Sequence, residues 1–339
     1  MELGACASPK RVVSALVLAA FALAGGQAAA QTKVRIAKQF GISYLPLTIM
    51  EEGRLLEEHA RRLGLDVRTE WVQFTGGTPM NEAIISGSLD FASGGVGPLL
   101  SIFGKTRGNI GVKGVAALNA MPLFLNTINP KIASIGDLSD SDRIALPAVR
   151  VSIQAITLQM AAERAFGPGQ HYRLEPLTVS LSHPDGFSQM MSGKSEITAH
   201  FTSAPFMYQE LADKRVRKIL DSYDVLEGPH TFNAVWATSR LYGENRKLVQ
   251  AFGAALAEAM SRIRQDPAGV AALWVKAESS KLPAAEAERL IRLPENEWTM
   301  VPKRIMPYAD YMSRVGMIPA RPTAWQDVFF EDIHGLPGS

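Results

Sequence analysis

The pattern of apolar and polar positions predicts the same series of strands and helices twice. In the first series, strands alternate with helices at residues 33–38, 45–62, 68–74, 79–87 and 91–93. In the second series, they alternate at residues 143–146, 152–166, 177–181, 182–193 and 197–200. Thr78 and Ser152 are predicted to cap one helix in each series, because their hydroxyls accept hydrogen bonds at helix N-termini. Two such series predict an α/β protein of two lobes, each with a mainly parallel sheet flanked by helices.

Further segments predict how the two lobes are joined. Residues 114–118 and 122–127 are β-like with Asn119 between them, and residues 231–238 form a later strand. Residues 248–264 predict an amphipathic helix, because apolar side chains recur every four positions. We interpret the β segments as two crossings that make a hinge, with the C-terminal helices packing back on the first lobe. The predicted division is lobe I at 31–118, lobe II at 119–230 and a return to lobe I at 231–339.

The first thirty residues are typical of a secretory signal peptide. Lys10 and Arg11 form a basic start, residues 12–24 are apolar, and residues 28–30 are small residues of the kind found at cleavage sites. We predict cleavage after Ala30 and export to the periplasm. The alternative is an uncleaved anchor, although the apolar run is shorter than a stable membrane span. No second apolar run of spanning length follows, which predicts a soluble exported chain without direct membrane insertion.

Composition narrows the chemistry of the exported part. The single cysteine, Cys6, precedes the apolar run, so residues 31–339 offer no disulfide and no cysteine nucleophile or metal ligand. Those 309 residues carry 33 basic and 32 acidic side chains, because the first thirty residues hold two of the 35 bases and one of the 33 acids. This balance, without basic blocks, argues against nucleic acid as a partner.

Loops at the carboxyl ends of the predicted strands are the candidate ligand site, since open parallel sheets bind ligands there. The candidate ligand-binding residues are Gln39, Phe40, Ser43, Tyr44, Thr75, Gly76, Ser93, Gly94, Gly95, Val96, Asn119, Val151, Ser152, Gln154, His183, His200, Phe201 and Thr202. Their loops are rich in Gly, Ser, Thr, Gln and His and contain few carboxylates. Ser152 also lies at a helix start, where the helix dipole favours an anion. The lining therefore favours a small anionic or polar ligand over a cation.

Each of these features also has a simpler explanation. Glycine pairs make turns, and Ser152 caps a helix whether or not a ligand binds. His183 precedes a proline and shapes that turn, and His200 is equally compatible with a hydrogen-bonded core histidine. The hypothesis depends on the convergence of six loops.

Catalytic and metal sites find little support in the sequence. The chain has no phosphate-binding glycine motif with a lysine, no Gly-x-Ser-x-Gly and no histidine pair at helical metal spacing. A repeated Ser-Gly-x-x-acid phrase places Asp90 and Glu196 at the starts of strands, away from the cleft. We interpret these two acids as turn residues and predict no catalytic residue, metal or cofactor.

Several motifs are similar to those of one known family. They are GSLDFASGGVGP at 87–98, RIALP at 143–147, SGKSEI at 192–197, LVQAF at 248–252, YADY at 308–311, VG at 315–316 and WQDVF at 325–329. On these motifs the chain resembles the periplasmic solute-binding proteins of ABC importers, in the branch of sulfonate, taurine and nitrate binders and thiamine-pyrimidine-related proteins. The resemblance covers nearly all of the chain after residue 30.

The resemblance implies a type II periplasmic binding-protein fold that closes on one small molecule. Its partners would be a small-molecule ligand and the membrane permease and ATPase of an importer, and the protein would be a monomer without enzymatic activity. The pyrimidine-synthase relatives use a cysteine-rich motif that residues 31–339 lack. Two alternatives remain open, namely a secreted enzyme on the same fold and a protein that presents its ligand to a sensor.

Overall fold

A computed structural model describes residues 31–339, so the predicted signal peptide and its cleavage site lie outside the described residues. The strands of this region are β1 Thr32–Lys38, β2 Val67–Gln73, β3 Ala92–Gly95, β4 Val112–Ala117, β5 Phe124–Thr127, β6 Ile144–Leu146, β7 Thr178–Ser180, β8 Ala199–Thr202, β9 Arg217–Asp221 and β10 Asn233–Thr238. The helices are α1 Leu45–Glu52, α2 Leu55–Arg62, α3 Gly77–Ile85, α4 Val96–Thr106, α5 Ile153–Phe166, α6 His183–Ser192, α7 Phe206–Leu211, α8 Ser222–Leu226, α9 Ser239–Glu244, α10 Arg246–Gln265, α11 Pro267–Ala277, α12 Ala284–Ile291, α13 Ile305–Arg314 and α14 Trp325–Val328.

Two sheets with the same strand order form the centre of the protein. In sheet I the order is β2-β1-β3-β10-β4, where a single parallel bridge between Ile36 and Phe91 joins β1 to β3. In sheet II the order is β7-β6-β8-β5-β9. In each sheet one strand, β10 or β5, is antiparallel to its neighbours. The predicted α/β fold with two mainly parallel sheets is therefore confirmed.

Apolar faces of the helices cover sheet I. Along α10, buried residues such as Phe252 and Leu256 recur at helical spacing, and Phe252 stacks on Phe91 with ring centroids 4.3 Å apart. The helix contacts α1 and α2, so burying this face ties the C-terminal part of the chain to sheet I. Apolar burial thus holds α10 against sheet I.

Three predicted element boundaries are wrong, each for a local reason. The helix predicted over 45–62 is interrupted at Gly53, because Arg54 adopts a left-handed conformation with φ 48°. Thr78 does not cap α3, since that helix begins at Gly77, two residues before the predicted start, with Gly76 at its N-cap position. The strand predicted over 197–200 begins two residues later, as β8, so His200 and its successors lie within a strand.

The repeated Ser-Gly-x-x-acid phrase marks the same structural step in both sheets. Gly87 and Gly193 follow the ends of α3 and α6 and have φ of 74° and 62°, a region that favours glycine. Asp90 accepts hydrogen bonds from the backbone N–H of Arg35 at 2.8 Å and from its guanidinium. The phrase is therefore structural, and its first acid joins β1 to the start of β3.

Three chain segments run side by side between the two sheets. Leu118 N–H donates to Asn233 O at 2.8 Å, which pairs the two predicted crossings. Ala120 forms bridges both to Thr231 and to Glu297, so a third segment joins them. That third segment leads to α13, which contacts α4 and α5. Of the C-terminal helices, α13 therefore contacts α5 in addition to α4.

Candidate ligand-binding cleft

The carboxyl edges of the two sheets face each other at close range. Ile42 N–H, after β1, donates to Ala204 O, after β8, over 3.3 Å. Glycines make this approach possible: a Cβ on Gly76 would lie 2.9 Å from Pro147 O, and one on Gly95 would lie 2.7 Å from Ile153 Cγ2. Several of the loops nominated from the sequence therefore touch where the two sheets face each other, which is the candidate cleft.

Polar groups on the sheet I side are held by the strand ends. Gln39 Nε2 donates to Ser93 O at 3.3 Å, and Ser93 Oγ donates to Ala37 O at 2.6 Å. A Cβ on Gly94 would lie 2.8 Å from Gln39 Nε2. Gln39 is thus held over β3 by its hydrogen bond to Ser93 O, and Gly94 leaves room for its side chain.

An amide cluster occupies the hinge. Asn119 Nδ2 donates to Ser43 O at 2.6 Å, and Asn119 Oδ1 accepts from Asn233 N–H at 3.2 Å. Asn233 Nδ2 reaches Ser43 Oγ at 3.0 Å, and Tyr44 O–H donates to Asn233 Oδ1 at 3.3 Å. All four residues are buried, and burial raises the pKa of Tyr44 above its ordinary value. The cluster ties the first loop of sheet I to both crossings.

On the sheet II side, Ser152 and Ser182 cap the two helices that begin at the cleft. Ser152 Oγ accepts from Ala155 N–H at 3.1 Å, as predicted for its cap, and Ser182 Oγ accepts from Asp185 N–H at 3.3 Å. The N-termini of α5 and α6 therefore open at the edge where β6 and β8 end. These ends carry the positive pole of each helix dipole.

A buried hydrogen-bonded network, here called the histidine network, lies beneath those helix starts. It consists of Gln154, His183, Thr202, His200, Glu210 and Asn126. His183 Nδ1 lies 2.9 Å from Thr202 Oγ1 and 3.4 Å from His200 Nε2. His200 Nδ1 in turn lies 2.6 Å from Glu210 Oε1. Burial, together with the neighbouring His200, holds the pKa of His183 well below its ordinary value.

A side-chain amide forms each end of the network. Gln154 Nε2 lies 3.3 Å from His183 Nε2, and Asn126 Nδ2 donates to Glu210 Oε2 at 2.8 Å. Gly186 allows the arrangement, since a Cβ there would lie 2.7 Å from His200 Nε2. Sequence reasoning missed Asn126 and Glu210, because only the fold brings β5 and α7 to β8.

The other candidate residues differ in how deeply their side chains are buried. Phe201 and Val96 belong to a buried apolar cluster, so their side chains pack in the core. Thr75 is exposed, and Phe40 and Val151 are half-buried. These three lie in the nominated loops, in or beside the segments that meet across the cleft.

Two further residues at the cleft were not nominated. Ser203, directly after β8, is only 1% exposed, and its Oγ has no hydrogen-bond partner among the described residues. It lies 3.8 Å from where a Cβ on Gly41 would be, on the other side of the cleft. Phe206 stacks on the His183 ring with centroids 6.0 Å apart. The loop nominated from the sequence ends at Thr202, so both residues lie just beyond it.

Cationic side chains beside these loops are already paired. Lys38, which ends β1, contacts Glu51 and Glu278 at 2.8 Å each. Arg150, in the loop before α5, pairs with Glu175 at 2.6 Å. An anion in the cleft would therefore be met by helix N-termini and neutral side chains, with Asp185 in the first turn of α6 as an acidic neighbour.

Solved structures of the same fold cover most of the chain. An alkanesulfonate-binding protein from Xanthomonas axonopodis pv. citri, bound to MOPS, is 20% identical with a TM-score of 0.70, over 89% of this chain and 99% of that one. A periplasmic nitrate-binding protein from Synechocystis PCC 6803 is 14% identical with a TM-score of 0.67, over 88% and 85%. A Candida albicans protein with the generic periplasmic binding protein fold is 12% identical with a TM-score of 0.67, over 88% and 96%.

These likenesses establish that the chain has the periplasmic binding protein fold. No protein-family model matches the sequence. No curated protein matches it either. Within residues 31–339, no helix is long and apolar enough to cross a membrane.

Proposed function

We propose that this protein is the substrate-binding component of an ABC import system and captures a small solute by hinge closure. The observation that carries the proposal is the cleft itself, where glycines let polar loops from two sheets with equivalent spatial strand arrangements approach closely. The solved structures of the same fold include sulfonate- and nitrate-binding proteins, which supports a role in transport.

The proposed ligand is a small anionic or polar organic solute of the sulfonate, taurine, nitrate or heterocyclic kind. The N-termini of α5 and α6 offer backbone N–H groups and dipoles for an anionic group. Gln39, Gln154 and Ser203 offer neutral donors and acceptors, and Phe206 offers an aromatic wall.

The proposed mechanism is a shift of an open–closed equilibrium. A ligand that contacts both sides of the cleft stabilises the closed form by its additional interactions there. The closed form then docks on a membrane permease that an ATPase drives from the other side of the membrane. In this proposal the protein acts in the periplasm as a monomer, without cofactor and without turnover.

A ligand screen tests the proposal. Native mass spectrometry of freshly purified protein identifies any co-purified solute, and a thermal-shift panel of ethanesulfonate, taurine, nitrate and pyrimidines extends the search. Binding raises the melting temperature by mass action, and small-angle scattering should show compaction with the same compound. Stabilisation without compaction would contradict closure. Recovery of a chemically altered compound would favour the enzyme alternative instead.

A further inference from the structure

The histidine network contains titratable side chains that hinge closure alone does not require. Its two imidazoles and one carboxyl group are 0–7% exposed, although such groups are rarely buried without a reason. The geometry forms one continuous path from Asn126 in sheet II to Gln154 at the start of α5. That helix start is where the proposed anion would bind.

The end of the path lies at the cleft. Gln154 follows Ile153, whose side chain contacts Gly95 of sheet I. Thr202, 2.9 Å from His183 Nδ1, precedes Ser203, which lies beside Gly41 of sheet I. His183 is itself the first residue of α6. A ligand held at the starts of α5 and α6 would therefore be a close neighbour of the His183 ring.

We propose that the cleft captures its anionic ligand together with one proton, which the histidine network holds. This inference rests on the proposed function, because it assumes a bound anion. An opposite charge within about 4–6 Å favours the protonated form of an imidazole, so an anion at the helix starts stabilises a proton on His183. In this step a hydronium ion or a buffer acid loses the proton, and one new N–H bond forms at the ring nitrogen. No other covalent bond changes.

The surroundings of His183 allow such a proton to be held. His200 and Thr202 face it from β8, Glu210 lies beyond His200 on α7, and Gln154 faces it from α5. On its own helix, the charged neighbour is Asp185, which is exposed and accepts a hydrogen bond from Ser182 Oγ. The carboxyl group of Glu210 is thus the buried partner for the charge, reached through His200.

The direction in which affinity changes with pH follows from the protonation state of His183 in the free protein. Burial and His200 keep the pKa of His183 well below its ordinary value, so the ring is neutral at pH 7 without a ligand. A bound anion raises that pKa, and the complex then binds more protons than the free protein. Affinity for the anion consequently increases as the pH falls, by at most about tenfold per pH unit for one proton.

Calorimetry with sodium ethanesulfonate and sodium nitrate tests the proposal. Both probes remain fully ionised between about pH 5 and pH 8, where histidines titrate. Titration in bis-tris and in imidazole, which contain no competing anion of the same kind, gives the number of protons taken up from the difference in binding enthalpy. We expect an uptake approaching one proton per anion as the pH is lowered, and binding without any uptake would overturn the proposal.

Substitutions test whether the histidine network takes up the proton. His183→Gln should abolish the uptake and flatten the pH profile, and Glu210→Gln should reduce the uptake by removing the partner carboxyl group. His59→Gln is the matched control, because His59 also pairs with a carboxylate, Glu258, at 2.8 Å, but lies on α2. An unchanged uptake in His183→Gln, or a loss in His59→Gln, would contradict the assignment.

Nitrogen NMR of the free protein provides a measurement that needs no ligand. The His183 ring should be neutral at pH 7, and a ring already protonated there would overturn the proposal. If neither ethanesulfonate nor nitrate binds at all, the anionic ligand of the proposed function fails and this inference fails with it. Binding without proton uptake, by contrast, removes this inference and leaves the proposed function intact.

Discussion

Lys38 is a buried cation that joins β1, α1 and the end of α11. It is 7% exposed, and its Nζ lies 2.8 Å from both Glu51 Oε2 and Glu278 Oε1. Burial by itself would lower its pKa, but hydrogen bonds to Glu278 and Glu51 and their charges outweigh that effect and raise it. The resulting stabilisation is present below the ordinary lysine pKa and is lost only as the pH rises through the folded value.

Removing this cation should destabilise the protein strongly. Lys38→Met leaves two partly buried carboxylates without their cation, and we expect the free energy of unfolding to fall by about 3 kcal/mol at pH 7. Urea denaturation measures the change. Lys33→Met is the control, because the Lys33–Glu70 pair is exposed and should contribute less than about 1 kcal/mol. Equal losses in the two variants would contradict the special role of Lys38.

Two substitutions of Ser152 distinguish its role as a helix cap from a role in ligand binding. Ser152→Ala should lower the free energy of unfolding by about 1 kcal/mol, because Ala155 N–H loses its acceptor. Ser152→Asp keeps an acceptor at the cap but places a negative charge at the proposed anion site, so stability should persist while affinity for ethanesulfonate falls. Calorimetry on both variants distinguishes the effects, and an unchanged affinity in Ser152→Asp would move the site away from α5.

Residues that act on their neighbours in the chain could be predicted from the sequence. Residues that bond to distant segments could not. The cap formed by Ser152 follows from its own neighbours in the chain. The bonding of Asn233 to Ser43 and Asn119 depends on segments more than a hundred residues apart. An asparagine within the apolar segment TFNAVWAT was the available signal for Asn233, since a buried amide needs partners.

At the scale of elements, α13 packs against both α4 and α5. Tyr308 is fully buried, lies 2.9 Å by its hydroxyl from Thr157 Oγ1 of α5, and packs edge-on against His230. Burial raises the pKa of Tyr308 above its ordinary value. The helix also contacts α4, so α4, α13 and α5 form a continuous layer.

The hydroxyl of Tyr308 should contribute measurably to this layer. Tyr308→Phe removes one buried hydrogen bond while keeping the ring, and we expect the free energy of unfolding to fall by about 1 kcal/mol. Tyr172→Phe is the control, because Tyr172 is 43% exposed. A loss in the control that matches the loss in Tyr308→Phe would show that the bond to Thr157 is not responsible.

Element types followed from the sequence more readily than element ends. Both series of strands and helices were recognised, because periodicity over several residues reports which face is buried. The interruption at Gly53 was missed because the apolar periodicity continues through it into α2. The contact of α13 with α5 had no sequence signal, since it depends on the third segment beside the crossings.

Glycines at the cleft determine how closely the whole molecule can close. Gly76 has an extended backbone with φ −174°, which any residue can adopt, yet a Cβ there would lie 2.9 Å from Pro147 O across the cleft. We expect Gly76→Ala to fold normally and to close less completely. Small-angle scattering with a saturating ligand should show reduced compaction, and affinity should fall.

Gly253→Ala is the matched control for closure. Gly253 lies in α10, and a Cβ there would have nothing within 4 Å. Its substitution should leave compaction and affinity unchanged. Normal compaction in Gly76→Ala would show that the contact at Pro147 is not part of the closed form.

The two sheets differ in when they can be completed. Every strand of sheet II falls between Phe124 and Asp221, so one continuous stretch of chain contains it. Sheet I receives β10, residues 233–238, between β3 and β4, which lie before residue 118. Because a chain is synthesised from its N-terminus, sheet II can form first, whereas the first sheet to be started is the last to be finished. The non-local pairing of β10 also makes sheet I the slower of the two to fold.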